Sequence, residues 1–259
     1  MATHLCAFQQ SVDSATLVAI NNVVDDVLTR TSVTRFLIPP LYNRIRWAAA
    51  AGQNLTRAQI ITPSLLVRRM NPEVAPRKRG SEGFTLTAPE IFLPQRPLIL
   101  VPGEEIEFDT AEDGAGATQM DGFVALSLDV LPPVPDGDIR IVRATGTTTL
   151  ALRAWTSVVL TLDSSLEAGV YALVGFIAMS ATVVAARAII TGQPNRPGVI
   201  GFQGAESAAV DFEAALFNQT IYYDMGHFTH ITVPAIQFFA GAADVAETVY
   251  LYVVRIAAP

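Results

Sequence analysis

Asp224, His227 and His230 fall in the pattern Asp-x-x-His-x-x-His, the grouping in this sequence that comes nearest to a metal-ligand set. A cation site needs its imidazoles and carboxylates to converge on one point. On an extended strand, three-residue spacing sends neighbouring side chains to opposite faces. Only a turn near Gly226 brings the three together, so the spacing favours edge or interface histidines. Asp109, Glu112 and Asp113 precede Gly114-Ala115-Gly116. A calcium loop wants oxygen ligands at alternating positions around a tight turn. The spacing here misses that rhythm, and a solvated strand connection fits it better.

Arg68, Arg69, Arg77, Lys78 and Arg79 form the basic cluster of the chain. Such a cluster suits phosphate, in nucleic acid or in lipid headgroups. It equally suits an acidic patch on a neighbouring subunit. The sequence contains no serine elbow, phosphate-binding glycine loop, dinucleotide fingerprint or zinc-protease motif. Its three histidines, His4, His227 and His230, offer few general bases. Paired carboxylates can do acid–base work without leaving a motif. The expectation is nevertheless a protein that is not an enzyme, with no catalytic residues, cofactor or metal.

Composition narrows the classes further. The 259 residues are 51% hydrophobic and 16% charged, with a mean hydropathy of +0.37. Disordered chains have the opposite balance, so this one should fold. Soluble monomers carry about 25% charged residues, and the deficit here points to apolar surface hidden by self-association. The net charge of -7 argues against a general nucleic-acid binder, and no sequence-specific nucleic-acid recognition is expected. Lys78 is the only lysine; arginine suits buried contacts between subunits, and GC-rich coding gives the same bias. A single cysteine, Cys6, excludes an internal disulfide and a cysteine-based zinc site. No basic region followed by an apolar run opens the sequence, so no secretory signal is visible.

The elements that would position these residues are mostly strands. One helix is expected near the start, where Leu17, Ile20, Val23-Val24 and Val27-Leu28 recur at helical spacing. Ser14 or Ser11 would cap it, with Asp13 near its positive end. Leu17, Ile20, Val24, Val27 and Leu28 would form its docking face, on its own barrel, a neighbouring subunit or a lipid surface. After Thr31 the chain becomes short apolar runs broken by Pro, Gly, Asn and Asp. Among them are 34–38, 44–49, 59–61, 98–101, 105–108, 123–130 and 139–144, then 158–162, 170–177, 183–190, 199–202, 229–233, 236–239 and 249–256. Such texture indicates a sandwich or barrel. The uncharged stretch Ala168 to Ala186 has the length of a membrane span. Its glycines and its β-branched and aromatic residues favour two buried strands with a turn near Ser180.

A repeat organises the strands. Ile99-Leu100-Val101-Pro102, followed by Ile106 and Phe108, matches Ile231-Thr232-Val233-Pro234, followed by Phe238 and Ala240, at a constant offset of 132. Each copy continues into a small-residue loop and a last apolar strand, Phe123 to Leu126 in one and Tyr250 to Val253 in the other. The spacing predicts an arm at 1–30, a first module at 31–132 with a long excursion at 70–97, and a second module at 138–259. Leu131-Pro132-Pro133-Val134-Pro135-Asp136-Gly137 would separate them.

Two consecutive β-modules behind a short helix, with no catalytic motif, resemble the double jelly-roll major capsid proteins of icosahedral, membrane-containing phages of the corticovirus and tectivirus kind. The likeness is one of architecture and size over nearly the whole chain, and it transfers no individual residue. It implies an all-β fold of two tandem jelly-roll barrels with an N-terminal α-helix. It also implies homotrimers forming pseudo-hexagonal capsomers of a shell. The protein would be made in the host cytoplasm and end in the virion, with an internal membrane or other capsid proteins as further partners. The alternative is a carbohydrate-binding or adhesin-like sandwich in which Trp47, Trp155 or Tyr222-Tyr223 stack on sugars. A β-sandwich glycosidase is the enzymatic rival.

Overall fold

Why the chain folds as strands is clearest at Glu105–Glu112, where Ile106, Phe108 and Thr110 are buried on one face while Glu105 and Glu107 point the other way. This period of two recurs through a computed structural model of the protein. It describes residues 3–52, 54–70, 72–74, 76–80, 83–84, 98–114, 116–128, 130–179, 182–200, 223–241 and 247–258, with backbone alone for 76–80, 83–84, 179, 200 and 247. The fold is mainly β, and the described residues contain one helix, of five residues. Two compact units are present: Leu5–Asp129 is the first module, and Val130–Pro259 together with Met1–His4 is the second.

The first module runs β1 (Thr3–Val12), β2 (Val18–Ala19), β3 (Thr29–Arg30), β4 (Arg35–Leu37), β5 (Arg44–Gly52), β6 (Leu55–Ile61) and α1 (Pro63–Val67). It continues with β7 (Pro76–Gly80), β8 (Gly83–Phe84), β9 (Leu98–Ile99), β10 (Glu105–Glu112) and β11 (Thr118–Ser127). One sheet has the order β1-β11-β5-β7-β8, with β9 also on β5; the other has β2-β10-β4-β3, with β6 on β10. Residues 72–74 flank β6, through Ile60 N to Pro72 O (3.2 Å) and Val74 N to Ala58 O (2.9 Å). Phe8 packs edge-on to Phe36 (5.4 Å) and stacked on Phe108 (5.7 Å) at the centre of the core. Gly122 makes room for this cluster: a Cβ there would lie 2.6 Å from the Phe108 ring.

The expected helix over residues 14–28 does not form, and the expected arm at 1–30 is not separate. Residues 5–30 belong to the first module. Their backbone bonds are not helical: Ile20 N donates to Phe108 O (2.9 Å), Val23 N to Ala7 O (2.9 Å) and Asn22 N to Val33 O (2.8 Å). Polar side chains close local turns instead of helical ones. Thr16 N donates to Ser14 Oγ (3.2 Å), and Asp25 Oδ1 accepts from Val27 N (2.7 Å) and Leu28 N (2.9 Å). The five residues of the supposed docking face are therefore scattered. Ile20 and Leu28 are in the core, Leu17 and Val27 are half-buried, and Val24 is exposed.

The second module contains β12 (Ile139–Gly146), β13 (Trp155–Val158), β14 (Thr161–Leu162), β15 (Val170–Met179) and β16 (Val183–Ile189). β17 (Gly198–Ile200), β18 (Gly226–Thr229), β19 (Ala235–Ala240) and β20 (Glu247–Ala257) complete it. The sheets are β14-β12-β20-β15-β18 and β13-β19-β16-β17. The membrane-length stretch divides into β15 and β16, which lie in different sheets; Ser180 is outside the described residues. Among the described residues, no helix is long and apolar enough to cross a membrane. β15 reads as an unbroken apolar run because both its faces are buried. Tyr171, Leu173 and Phe176 enter one apolar cluster, and Ala172, Val174 and Ile177 enter another with Tyr252 and Val254.

The repeat seen in the sequence has a structural counterpart. Ile99 to Pro102 leads into β10 and Ile231 to Pro234 into β19; β10 lies between β2 and β6 as β19 lies between β13 and β16. The last strands, β11 and β20, are both interior to their sheets. Residues 230–233, expected as strand, form a turn after β18, closed by Thr229 N on Thr232 Oγ1 (3.0 Å).

Candidate functional site

The first module carries an open apolar groove of about 520 Å³ between α1 and the turn that joins β9 to β10. One wall is Pro63, Val67 and Arg68; the other is Ile99, Leu100 and Val101. Thr62 caps α1 by accepting from Leu65 N (3.3 Å), and Pro63 occupies the first helical turn, where its missing N–H costs nothing. Leu65 anchors the helix in the core, which leaves Val67 84% exposed on the rim. Across from it, Ile99 is 52% exposed.

Glu104, nearly buried, ties the walls together. Its Oε1 accepts from Ser64 Oγ (2.8 Å) and Val101 N (2.7 Å), and its Oε2 accepts from Ser64 N (2.8 Å). A carboxylate bonded this way clamps the two walls through charge-assisted hydrogen bonds. Arg68 adds a second tie, with Nε donating to Ser64 O (3.1 Å) and a terminal nitrogen to Ile99 O. The groove can therefore receive apolar side chains, and its polar lining residues Ser64, Arg68 and Glu104 are bonded to one another or to the backbone of its walls. Glu104→Ala is expected to cost about 2 kcal/mol, since buried hydrogen bonds to a charged group are each worth about 1.5–3 kcal/mol and solvent offsets part of the loss. A urea midpoint for the first module unchanged from wild type would show that the clamp contributes nothing.

No family model matches this chain, and no curated protein matches it.

Of the five basic residues, the side chains of Arg68 and Arg69 lie among the described residues. Arg68 is engaged by backbone carbonyls, and Arg69 follows in a left-handed conformation (φ 54°). The backbone of Arg77, Lys78 and Arg79 lies in β7, where Arg77 pairs with Ala51 and Lys78 with Gly52 in parallel register; their side chains are outside the described residues. The Asp-x-x-His-x-x-His group does turn at Gly226 (φ 143°), whose N–H donates to Asp224 Oδ1 (2.9 Å). That turn pairs Asp224 with His227 (2.7 Å) but leaves His230 elsewhere, accepting from Gly169 N (3.3 Å). Asp109 and Glu112 lie on opposite faces of β10, and Glu112 Oε1 accepts from Gly114 N (2.8 Å). Among the described residues, no group of three His, Cys, Asp or Glu side chains is arranged to hold a metal ion.

The aromatic candidates are mostly occupied. Trp155 meets Phe239 edge-on (5.5 Å) and the Arg187 guanidinium over its face (4.2 Å). Trp47 is a half-buried β5 residue opposite Ala125, Tyr223 is buried, and Tyr222 is outside the described residues. The groove itself was missed from the sequence, although Thr62-Pro63-Ser64 ahead of two leucines is a helix-start signal.

Proposed function

We propose that this chain is a major capsid protein: two tandem jelly rolls that assemble as homotrimers, each a pseudo-hexagonal capsomer of an icosahedral shell in the virion. The observation carrying most of the weight is the strand order shared by the two modules. Counting the principal strands of the second module as β12, β13, β15, β16, β17, β18, β19 and β20, its sheets read 1-8-3-6 and 2-7-4-5. Counting β1, β2 with β4, β5, β6, 72–74, β9, β10 and β11 in the first module, the same two orders appear. Eight strands in two sheets with this order support reading each module as a jelly roll, to which β3, β7, β8 and β14 are additions.

Assembly is supported by where the repeat leaves apolar side chains. Ile99, 52% exposed at the end of β9, and its counterpart Ile231, 78% exposed in the turn after β18, both stand just ahead of the seventh strand of their modules. Symmetric shells reuse such positions, because a contact made once is made around the whole ring. The low charge content supplies further apolar surface.

Size-exclusion chromatography with electron microscopy tests the proposal, and trimers or shells are the expected species. Ile99→Asp and Ile231→Asp should each shift the protein towards monomer while leaving thermal unfolding nearly unchanged, since exposed substitutions usually cost within about 0.5 kcal/mol. A wild-type protein that stays monomeric at high concentration, or variants that assemble normally, would count against the capsid proposal.

A further inference from the structure

Three carboxylates, Glu105, Glu107 and Asp109, stand on one face of β10 at alternate positions, about 7 Å apart along the strand. Among the described residues, one cation serves the row. Arg35, on β4, donates from Nε to Glu107 Oε2 (2.8 Å) and from Nη1 to Glu105 Oε2 (3.4 Å). Thr34 Oγ1 adds a bond to the same Glu107 oxygen (3.2 Å). The third carboxylate receives neither. Asp109 is 9% exposed, and its Oδ1 is buried with no hydrogen-bond partner among the described residues.

The strands on either side do not supply what it lacks. Asp109 faces Ala19 on β2 and Gln59 on β6, both uncharged. β2 contains no titratable side chain, and Arg57, the next residue on that face of β6, is committed to Glu73 of the flanking 72–74 segment. A buried carboxylate in this setting lacks a proton more than it lacks a cation. We propose that Asp109 is a proton-uptake site through which mild acid stabilises the first module.

The electrostatics agree with the geometry. Burial, then the negative charge of Glu107, push the Asp109 carboxyl up to about 6 against the pull of Arg35. The unfolded value is about 3.9. Between the two, the folded chain holds more protons than the unfolded one, so stability falls as pH rises through that window. The contribution is fully present below about pH 4 and gone above about pH 6. This is opposite in sign to a salt-bridged aspartate.

Thermal unfolding of the full chain from pH 4.5 to 7.5 tests this, comparing wild type with Asp109→Asn. The variant should melt several degrees higher at pH 7.5, and the gap should close towards pH 4.5. A gap that stays constant, or that opens in acid, overturns the proposal. Because asparagine could disturb packing, ¹³C-carboxylate NMR of the wild-type chain gives an independent reading. The Asp109 resonance should titrate near pH 6 and shift lower in Glu107→Gln; a midpoint at or below 4 overturns it.

Discussion

Deletion of residues 1–30 is expected to unfold the first module, not to release an arm. Cys6, Phe8, Val12, Ile20 and Leu28 all belong to the core cluster of that module. Phe8 touches both Phe36 and Phe108, and truncating one buried phenylalanine to alanine typically costs about 3–5 kcal/mol. Losing all five side chains exceeds the whole stability of an ordinary domain, about 5–15 kcal/mol. The deletion also strips partners from strands that remain: β11 loses β1 along one edge, and β10 loses Ala19 and Val18. Hydrogen exchange resolves the result by module. Protection should vanish in β5, β10 and β11. A truncated protein with normal protection there and only its assembly impaired would reinstate the arm.

That misreading shows what the sequence conveyed and what it withheld. Apolar residues at 17, 20, 23–24 and 27–28 satisfy a helical period, yet three of the six are valines and two asparagines stand between them. Helix propensity is a weak preference, and tertiary pairing overrides it easily. Here Asn22 supplies the alternative, its Nδ2 donating to Ser32 O (3.0 Å) and Arg35 O (2.8 Å) and so fixing the excursion between β2 and β4. The ten-residue strand β1 was not read at all. Its residues Thr3, Leu5 and Ala7 on one face and His4, Cys6 and Phe8 on the other are all buried, so it lacks the alternation of apolar and polar that marks a half-exposed strand.

The long strands were legible where one face meets solvent or where a run is wholly apolar. β5, β10, β12, β15, β16, β19 and β20 all overlap runs read from sequence, whereas β3, β7 and β8 are too short or too polar to signal themselves. The repeat was legible because the segments leading into β10 and β19 share both an exposed isoleucine and a proline. The groove beside the first of these was not. It depends on Glu104 reaching Ser64, forty residues away, and no local pattern announces a contact of that range. The charges of Arg68 and Arg69 were equally plain, but their number could not reveal that Arg68 spends its donors on Ser64 O and Ile99 O.

In the second module the largest single-residue effect is expected at Arg187. It lies on β16 on the face turned away from the main apolar cluster, and it is fully buried there. Nε donates to Gln237 Oε1 (2.7 Å), which is opposite it in the ladder, and Gln237 Nε2 donates onward to Ser157 Oγ (3.2 Å). The guanidinium covers the Trp155 ring at 4.2 Å, and such contacts are worth about 2 kcal/mol when desolvated. Arg187→Ala removes the cation, its aliphatic stem and the partner of Gln237 together. The combined loss of packing and buried bonding is expected to cost about 3–5 kcal/mol. Arg187→Met keeps the stem and most of the volume but still leaves the buried Gln237 Oε1 without its donor, an unsatisfied acceptor that costs about 1–3 kcal/mol. Its cost should therefore fall below that of Arg187→Ala. Urea unfolding followed by fluorescence in a Trp47→Phe background, where Trp155 is the sole tryptophan, separates these outcomes. If the two variants lose the same stability, the stem and volume contribute nothing and the polar contacts alone hold the site; if both match wild type, Arg187 is a passenger in its own sheet.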